Sequence, residues 1–336
     1  NTLSAKERAA LIEKAGKDRL TLSFYQYAKI DNPQEFRDHL FLTWNTLDIL
    51  GRIYVAHEGI NGQLSLPADQ FDTFKNHLDT IDFLKGIRLN IAVEQDNMSF
   101  LKLKVKVRDK IVADGLNDDT FDVRNKGIHV DAEQFNDLIE NEKTVLVDMR
   151  NHYESEIGHF KNAITPDVDT FRESLDIIEE DLKEHKEDKN LVMYCTGGIR
   201  CEKASAYFKH KGFKHVYQLE GGIIEYTRQV NDKGLENKFI GNNFVFDDRR
   251  AEKISDDIIA QCHQCGNPFD VHTNCANDAC HLLFIQCDKC KEEMKKCCST
   301  NCKDIHALHY EEQKAMRKGQ GNSNDIFKNG REDHFQ

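Results

Sequence analysis

No stretch of this sequence approaches the ~20 consecutive apolar residues that a membrane-crossing helix needs, so it does not read as a membrane-spanning chain. The first twenty residues are charged and helix-like and lack the apolar centre of a secretory signal. The sequence opens on Asn1 rather than Met, which reads as a trimmed start. An excess of cations is missing too. The net charge is −12, so any nucleic-acid partner has to be met by a local basic patch rather than by the field of the whole protein. There is no recognisable flavin or haem motif and no facial iron triad, so no organic cofactor is expected. Without an export signal, the 11 cysteines read as reduced thiols for metal binding or chemistry, not as a disulfide framework, and the expected compartment is the cytoplasm.

What is present is length enough for two or three domains in 336 residues. Residues 1–20 form an amphipathic helix. Residues 21–95 run strand, helix, strand, strand, helix, strand, with strands over 21–30, 51–56, 63–66 and 87–93; this is the split βαβ, ferredoxin-like order. Between its second and third strands lies His57-Glu58-Gly59-Ile60-Asn61-Gly62. Glycine and asparagine suit a hairpin turn, but turn chemistry does not require His57 and Glu58. With Asn61 they are candidate substrate-facing residues. Residues 96–127 hold a basic strand and a linker. In the strand Lys102, Lys104, Lys106 and Arg108 alternate with apolar residues, so the cations share one face, either as a solvated surface or as a stripe along a phosphate backbone.

Residues 128–231 alternate strands and helices, the mark of an α/β layer with a parallel sheet, whose ligands sit at the carboxyl ends of the strands. Two such ends carry chemistry. One strand finishes in Asp148-Met149-Arg150. The other, Leu191-Val192-Met193-Tyr194, finishes in Cys195-Thr196-Gly197-Gly198-Ile199-Arg200 and runs into a helix. Paired glycines and a helix N-terminus aim N–H dipoles at one point, and a sulfur there is stabilised as the reactive thiolate. Arg200 adds a cation. Asp148 and Arg150 are expected to support the loop, Asp148 by bonding Arg200. Cys201 faces the loop either as packing or as a resolving thiol. The spacing Cys195-x4-Arg200 is one residue shorter than the Cys-x5-Arg cradle of phosphatases, and suits a single sulfur better than a phosphate. With Tyr153-Glu154, Gly158-His159-Phe160 and Leu219-Glu220-Gly221-Gly222, the whole stretch resembles a rhodanese domain, in which the loop cysteine carries a persulfide.

Residues 232–310 form a linker and a cysteine-rich module with Cys262, Cys265, Cys275, Cys280, Cys287, Cys290, Cys297, Cys298 and Cys302. A segment so poor in large apolar groups needs a metal staple, and nine thiols supply two four-thiolate zinc sites with one to spare. The sites are either sequential or interleaved, with His263 and His281 as spare ligands. Residues 311–336 are polar and read as an unstructured tail.

The order of GRIYVAHEGINGQLS, FLKLKVKVR, CTGGIRCEKA and HTNCANDACHLLFIQCDKC resembles, over about residues 20–305, the rhodanese-containing tRNA uridine hydroxylase family. The resemblance implies oxygen-dependent hydroxylation of the wobble uridine of tRNA to 5-hydroxyuridine, with molecular oxygen as co-substrate and Cys195 as the essential cysteine. Set beside it, the basic strand and the cysteine-rich module would supply phosphate contacts and grip the anticodon arm, and no obligate protein partner is evident. Two other classes fit the residues: a persulfide sulfurtransferase acting through Cys195, and a non-enzymatic zinc-stapled adaptor.

Overall fold

The structure, a computed structural model, describes residues 3–116 and 121–318. Helix α1 (Ala5–Ala15) is opened by a capping box in which the Ser4 hydroxyl accepts the Glu7 N–H. Then come β1 (Arg19–Tyr27), α2 (Pro33–Thr46), β2 (Leu50–Ala56), β3 (Gly59–Pro67), α3 (Phe71–Asp79), β4 (Asn90–Ile91) and β5 (Leu103–Val107). The α/β region supplies β6 (Ile128–Val130), α4 (Ala132–Ile139), β7 (Thr144–Asp148), α5 (His152–Ser155), β8 (Gly158–Phe160), α6 (Phe171–Asp181), β9 (Asn190–Tyr194), α7 (Ile199–His210), β10 (His215–Leu219) and α8 (Gly222–Lys233). The remainder holds β11 (Phe239–Phe244), β12 (Ala251–Lys253), β13 (His272–Asn274), β14 (Leu283–Ile285), α9 (Asp288–Glu293), α10 (Thr300–Ala307) and α11 (Tyr310–Arg317).

The chain divides into two compact units, one of Asn1–Val145, Glu184–Glu236 and Val245–Arg249, the other of Leu146–Lys183, Asn237–Phe244 and Arg250–Gln336. In the first, the N-terminal sheet runs β4-β1-β3-β2-β5, the expected ferredoxin-like arrangement widened by one strand. That added strand is the basic one: β5 pairs parallel with β2, Lys104 opposite Arg52 and Lys106 opposite Tyr54. Alternation along β1 sends Leu22 and Phe24 into a core with Leu40, Trp44, Leu64 and Phe74. Ser23 and Tyr25 take the other face of the strand. The second sheet of the chain runs β6-β10-β9-β7. Strand β10 lies parallel to both β6 and β9, and Asn190 N–H donates to Lys143 C=O at 2.9 Å at the entry to β7.

Two local expectations change. The turn expected over His57–Gly62 is only His57-Glu58, because β3 already begins at Gly59. Its glycines serve packing rather than turning. A Cβ on Gly59, at φ +147°, would lie 2.1 Å from Gln26 O, and one on Gly62 would lie 2.7 Å from the Phe24 ring. The strand expected over 87–93 contracts to Asn90–Ile91, paired with Ser23 and Leu22.

In the second unit β11 pairs antiparallel with β8 and β12. Strands β13 and β14 make a hairpin among the cysteines. The segment expected to be unstructured from Glu311 begins instead as α11, whose first turn is capped by His309 and Glu312; residues 319–336 lie outside the described residues, as do 117–120 of the linker.

Candidate active site

Strand β9 is buried from Leu191 to Tyr194 and delivers a fully buried Cys195 to its carboxyl end. Gly198 caps α7 in the left-handed region at φ +99°, which only glycine adopts at low cost, and its N–H donates to Cys195 Sγ at 3.1 Å. Burial pushes the Cys195 thiol up. A hydrogen bond from Cys201, the charge of Arg200 and the N–H groups of Cys201 and Arg200 outweigh it, and the thiol is lowered to about 6. The group is therefore mostly thiolate at neutral pH. Thr196, Gly197, Gly198, Ile199 and Arg200 all belong to this turn, as expected, and Cys201 is a buried neighbour of the reactive sulfur.

The Gly221-Gly222 pair closes the loop from the other side. Ile223 and Ile224 N–H donate to the carbonyls of Cys195 and Thr196 at 3.0 and 3.3 Å. Gly222, at φ +66°, would put a Cβ 2.5 Å from Cys195 O, 2.6 Å from Thr196 O and 2.7 Å from Gly197 N. Gly222→Ala is therefore expected to destabilise the protein by about 3 kcal/mol, the sum of a left-handed alanine and a backbone clash. Denaturant unfolding checks this, and unchanged stability would contradict the packing.

The N-terminal sheet covers the same loop within the first unit. Tyr25 OH donates to Glu202 at 3.1 Å and lies 2.8 Å from where a Gly198 Cβ would stand. Tyr27 OH donates to Ile199 O at 3.4 Å, and Asn90 Nδ2 to Gly197 O at 3.3 Å. Glu202 also takes His129 at 2.8 Å and Lys126 at 2.6 Å. Burial and the Glu202 charge hold the Tyr25 phenol well above its ordinary value, so it stays a hydrogen-bond donor. Beneath, the fully buried Lys203 pairs with Glu58 and Asp114, each at 2.6 Å. Burial works against its charge, but the two carboxylates prevail and its pKa rises.

Sequence reasoning did not single out Tyr25, Asn90, Asp114, Glu202 or Lys203. The only signal was a charged pair, Glu202-Lys203, on a helix turn too buried for solvated side chains. Several of the other expected site residues have defined partners. Glu58 is tied down by Lys203 and by Ile111 N–H at 2.7 Å, His57 Nδ1 by Ile30 O at 2.9 Å, and Asn61 Nδ2 by Ile111 O at 3.3 Å. Each of the three thus has at least one polar atom engaged with a neighbouring segment. Asp148, expected to bond Arg200, gives its carboxylate to Arg150 at 2.6–3.1 Å in the second unit; both side chains are fully buried, and Arg150 also reaches Gly158 O at 2.6 Å. Lys102, Lys104, Lys106 and Arg108 are exposed along β5, with Arg108 5.6 Å from the Tyr54 ring centre.

In the second unit eight of the nine expected cysteines gather into two groups, Cys262, Cys265, Cys287, Cys290 and Cys275, Cys280, Cys298, Cys302. The pairing is interleaved along the chain. Sulfur separations of 3.7 Å (Cys265–Cys287), 3.7 Å (Cys280–Cys298) and 3.6 Å (Cys298–Cys302) are near the edge of about 3.8 Å for a tetrahedron with 2.3 Å metal–sulfur bonds. Each group could hold a metal ion. Cys297 is the one left over, buried, its thiol pushed up to about 11 by burial and the nearby sulfurs. His263 is not a ligand in either group; it bonds Glu156 at 2.5 Å.

Residues 19–111 match the UPF0176 acylphosphatase like domain, 131–229 the rhodanese-like domain and 240–303 the rhodanase C-terminal family. A tRNA uridine(34) hydroxylase of Leptospira interrogans is 54% identical over 316 residues, covering 94% of this chain and 86% of that one. Those of Photorhabdus laumondii and Pectobacterium carotovorum are 52% and 54% identical, covering 98% and 97% of this chain and 94% and 92% of theirs. No helix among the described residues is long and apolar enough to cross a membrane. At this identity across three differently built regions, the chain belongs to the tRNA uridine(34) hydroxylase family.

Proposed function

We propose that this protein hydroxylates uridine 34 of tRNA to 5-hydroxyuridine in the cytoplasm, with molecular oxygen as co-substrate and Cys195 as the reacting group. The observation that carries this reading is a fully buried sulfur that accepts Gly198 N–H at 3.1 Å and whose pKa the loop N–H groups, Cys201 and Arg200 lower against burial, in a chain of this family. A thiolate adding to C6 of uracil would leave C5 electron-rich for attack on oxygen; alternatively a sulfenic acid on Cys195 would deliver its oxygen to C5 and return to the thiol; on either route a two-electron reductant takes the second atom of O2 to water. Mass spectrometry of Cys195 under turnover separates a uridine adduct from a sulfenic acid.

The exposed line of Lys102, Lys104 and Lys106, with Arg52 on the neighbouring strand, supports an anticodon-arm partner. Burial and repulsion from Lys102 lower the pKa of Lys104, so a phosphate there would relieve crowded like charge. Wobble bases are unpaired and reach a pocket without duplex melting. Zinc at the two four-sulfur groups would supply structure rather than chemistry.

Nucleoside analysis of tRNA from a strain lacking this gene tests the proposal. Loss of 5-hydroxyuridine derivatives, restored by the unaltered gene but not by Cys195→Ser, is the expected result. Loss of a thiolated base instead would identify a sulfurtransferase, and restoration by Cys195→Ser an adaptor.

A further inference from the structure

The N-terminal sheet buries one face and leaves part of the other open. Cross-strand partners share a face, so the register sets the open face out in rows. One row runs Lys104, Arg52, Gln63, Ser23 and Asn90 across β5, β2, β3, β1 and β4. Within the first unit this row ends at the Cys195 loop. A Cβ on Gly197 would lie 3.9 Å from Ser23 Oγ and 3.5 Å from Asn90 Nδ2. Thr196 and Gly197, the loop residues at that end, are half-buried rather than sealed. At the far end Arg52 and Lys104 are exposed, and Gln63 and Ser23 between are half-buried. With strands ~4.8 Å apart, β5 stands about 14 Å from β1.

The open part of the face is chemically one-sided. Arg52, Lys102, Lys104 and Lys106 make no ion pair among the described residues, in a chain whose net charge is −12. Beside Lys102 and Lys104 lies a cavity of about 220 Å³, walled also by Arg8 and Arg52, with Asp248 as its one acid. Along β5 the lysines repeat every ~6.6 Å. Across the sheet the row changes character, from cations to the Gln63 amide and the Ser23 hydroxyl. Neither of these side chains makes a hydrogen bond among the described residues. Cations suit phosphates, whereas amides and hydroxyls suit the exposed edges of unpaired bases. We infer that this face seats the unpaired strand of the anticodon loop: its phosphates lie over Arg52, Lys102 and Lys104, and its nucleotides cross Gln63 and Ser23 to reach the Cys195 loop. A helical stem would also meet the lysines, but its base edges are paired and would leave Gln63 and Ser23 idle. This assignment rests on the proposed tRNA reading and adds to it the route and the residues that line it.

The test reads binding, not turnover. Full-length protein is titrated by fluorescence anisotropy with an anticodon stem-loop and with the same stem closed as a blunt duplex, each over a range of salt. The unaltered protein is expected to bind the stem-loop at least about tenfold more tightly, the size of one or two hydrogen bonds that the duplex cannot make. Gln63→Ala is expected to weaken stem-loop binding about threefold to tenfold and to leave duplex binding unchanged. Arg52→Ala and Lys104→Ala are each expected to weaken it and to reduce the salt slope by about 0.7, the value for one single-strand phosphate. Lys75 is the charge control. It is exposed on α3, whose Phe74 and Leu78 pack on the opposite, buried face of the sheet, so Lys75→Ala is expected to change nothing. Equal losses from Lys75→Ala and Lys104→Ala would reduce the row to net charge and overturn the assignment. So would a folded Gln63→Ala that binds the stem-loop as before, or a polyglutamate peptide that binds as tightly as the RNA. Duplex binding equal to stem-loop binding by the unaltered protein overturns it whether or not any variant folds. A protein that binds along this row yet yields no hydroxylated nucleoside would overturn the proposed reaction and leave this assignment standing.

Discussion

Replacing Cys195 by serine is expected to cut hydroxylation of uridine 34 by at least about 10³-fold, since a hydroxyl cannot ionise near neutral pH where this thiol does. The fold should survive, because serine is nearly isosteric and its oxygen can still accept the Gly198 N–H that reaches Sγ at 3.1 Å. The pH dependence gives an independent check. The thiol sits at about 6 in the folded protein, against roughly 8.5 when unfolded. Between these values the unfolded chain carries a proton that the folded chain does not, so stability rises with pH there. The contribution is fully present above about pH 8.5 and lost as pH falls through about 6; its full size is on the order of 3 kcal/mol. Native protein and Cys195→Ser should therefore melt within a few degrees of each other at pH 6, and the gap should widen toward pH 8.5. Cys195 alkylation, followed peptide by peptide, should rise with a midpoint near pH 6. A midpoint near that of free cysteine, together with active Cys195→Ser, would remove the basis of the proposed chemistry.

The Cys195 loop was legible because its determinants are consecutive. Strand, Cys195, Gly197-Gly198, Arg200 and helix fall within a dozen residues, and local spacing dictates the turn they form. The cover over that loop was not legible, because it is assembled from far-apart positions. Lys203 meets Glu58 across 145 positions of sequence, and Asn90 meets Gly197 across 107. No periodicity announces such pairs. Gly59 and Gly62 misled for a related reason. Glycine marks a turn when the chain is taken alone, but here β1 approaches so closely that a side chain cannot fit. Asp148 and Arg150 were placed at the right strand end, and two residues of spacing suffice for their carboxylate–guanidinium pair. The basic strand was recognised by its alternation, whereas its pairing with β2 depended on which edge of the sheet was free.

Metal removal is expected to have the largest structural effect. The cysteine groups are the core of their region: Cys275, Cys297, Cys298 and Cys302 pack with Leu282, Phe284 and the half-buried Ala276 and Cys280, and Cys262, Cys287 and Cys290 with Phe269. That apolar burial is too small to order the segment by itself. A structural zinc is worth on the order of 10–16 kcal/mol of folding free energy. The sulfurs also demand a cation. Through its bonds to Cys275 and neighbouring thiols Cys298 is pushed far up and Cys302 far down, because four thiolates within 4.8 Å of one another cannot all ionise without a positive charge among them. Elemental analysis should find two zinc ions per chain. Cys262→Ser and Cys275→Ser should each leave one, while Cys297→Ala should leave both, since Cys297 belongs to neither group. Chelation should release both ions and expose β13, β14 and α9 to rapid hydrogen exchange. The interleaved order of ligands predicts the sharpest outcome. Because Cys275 and Cys280 lie in the loop closed by Cys265 and Cys287, loss of the first site should slacken the second, so Cys262→Ser should weaken retention of its remaining ion as well. A remaining ion held as tightly as in the unaltered protein would show that the two sites fold independently.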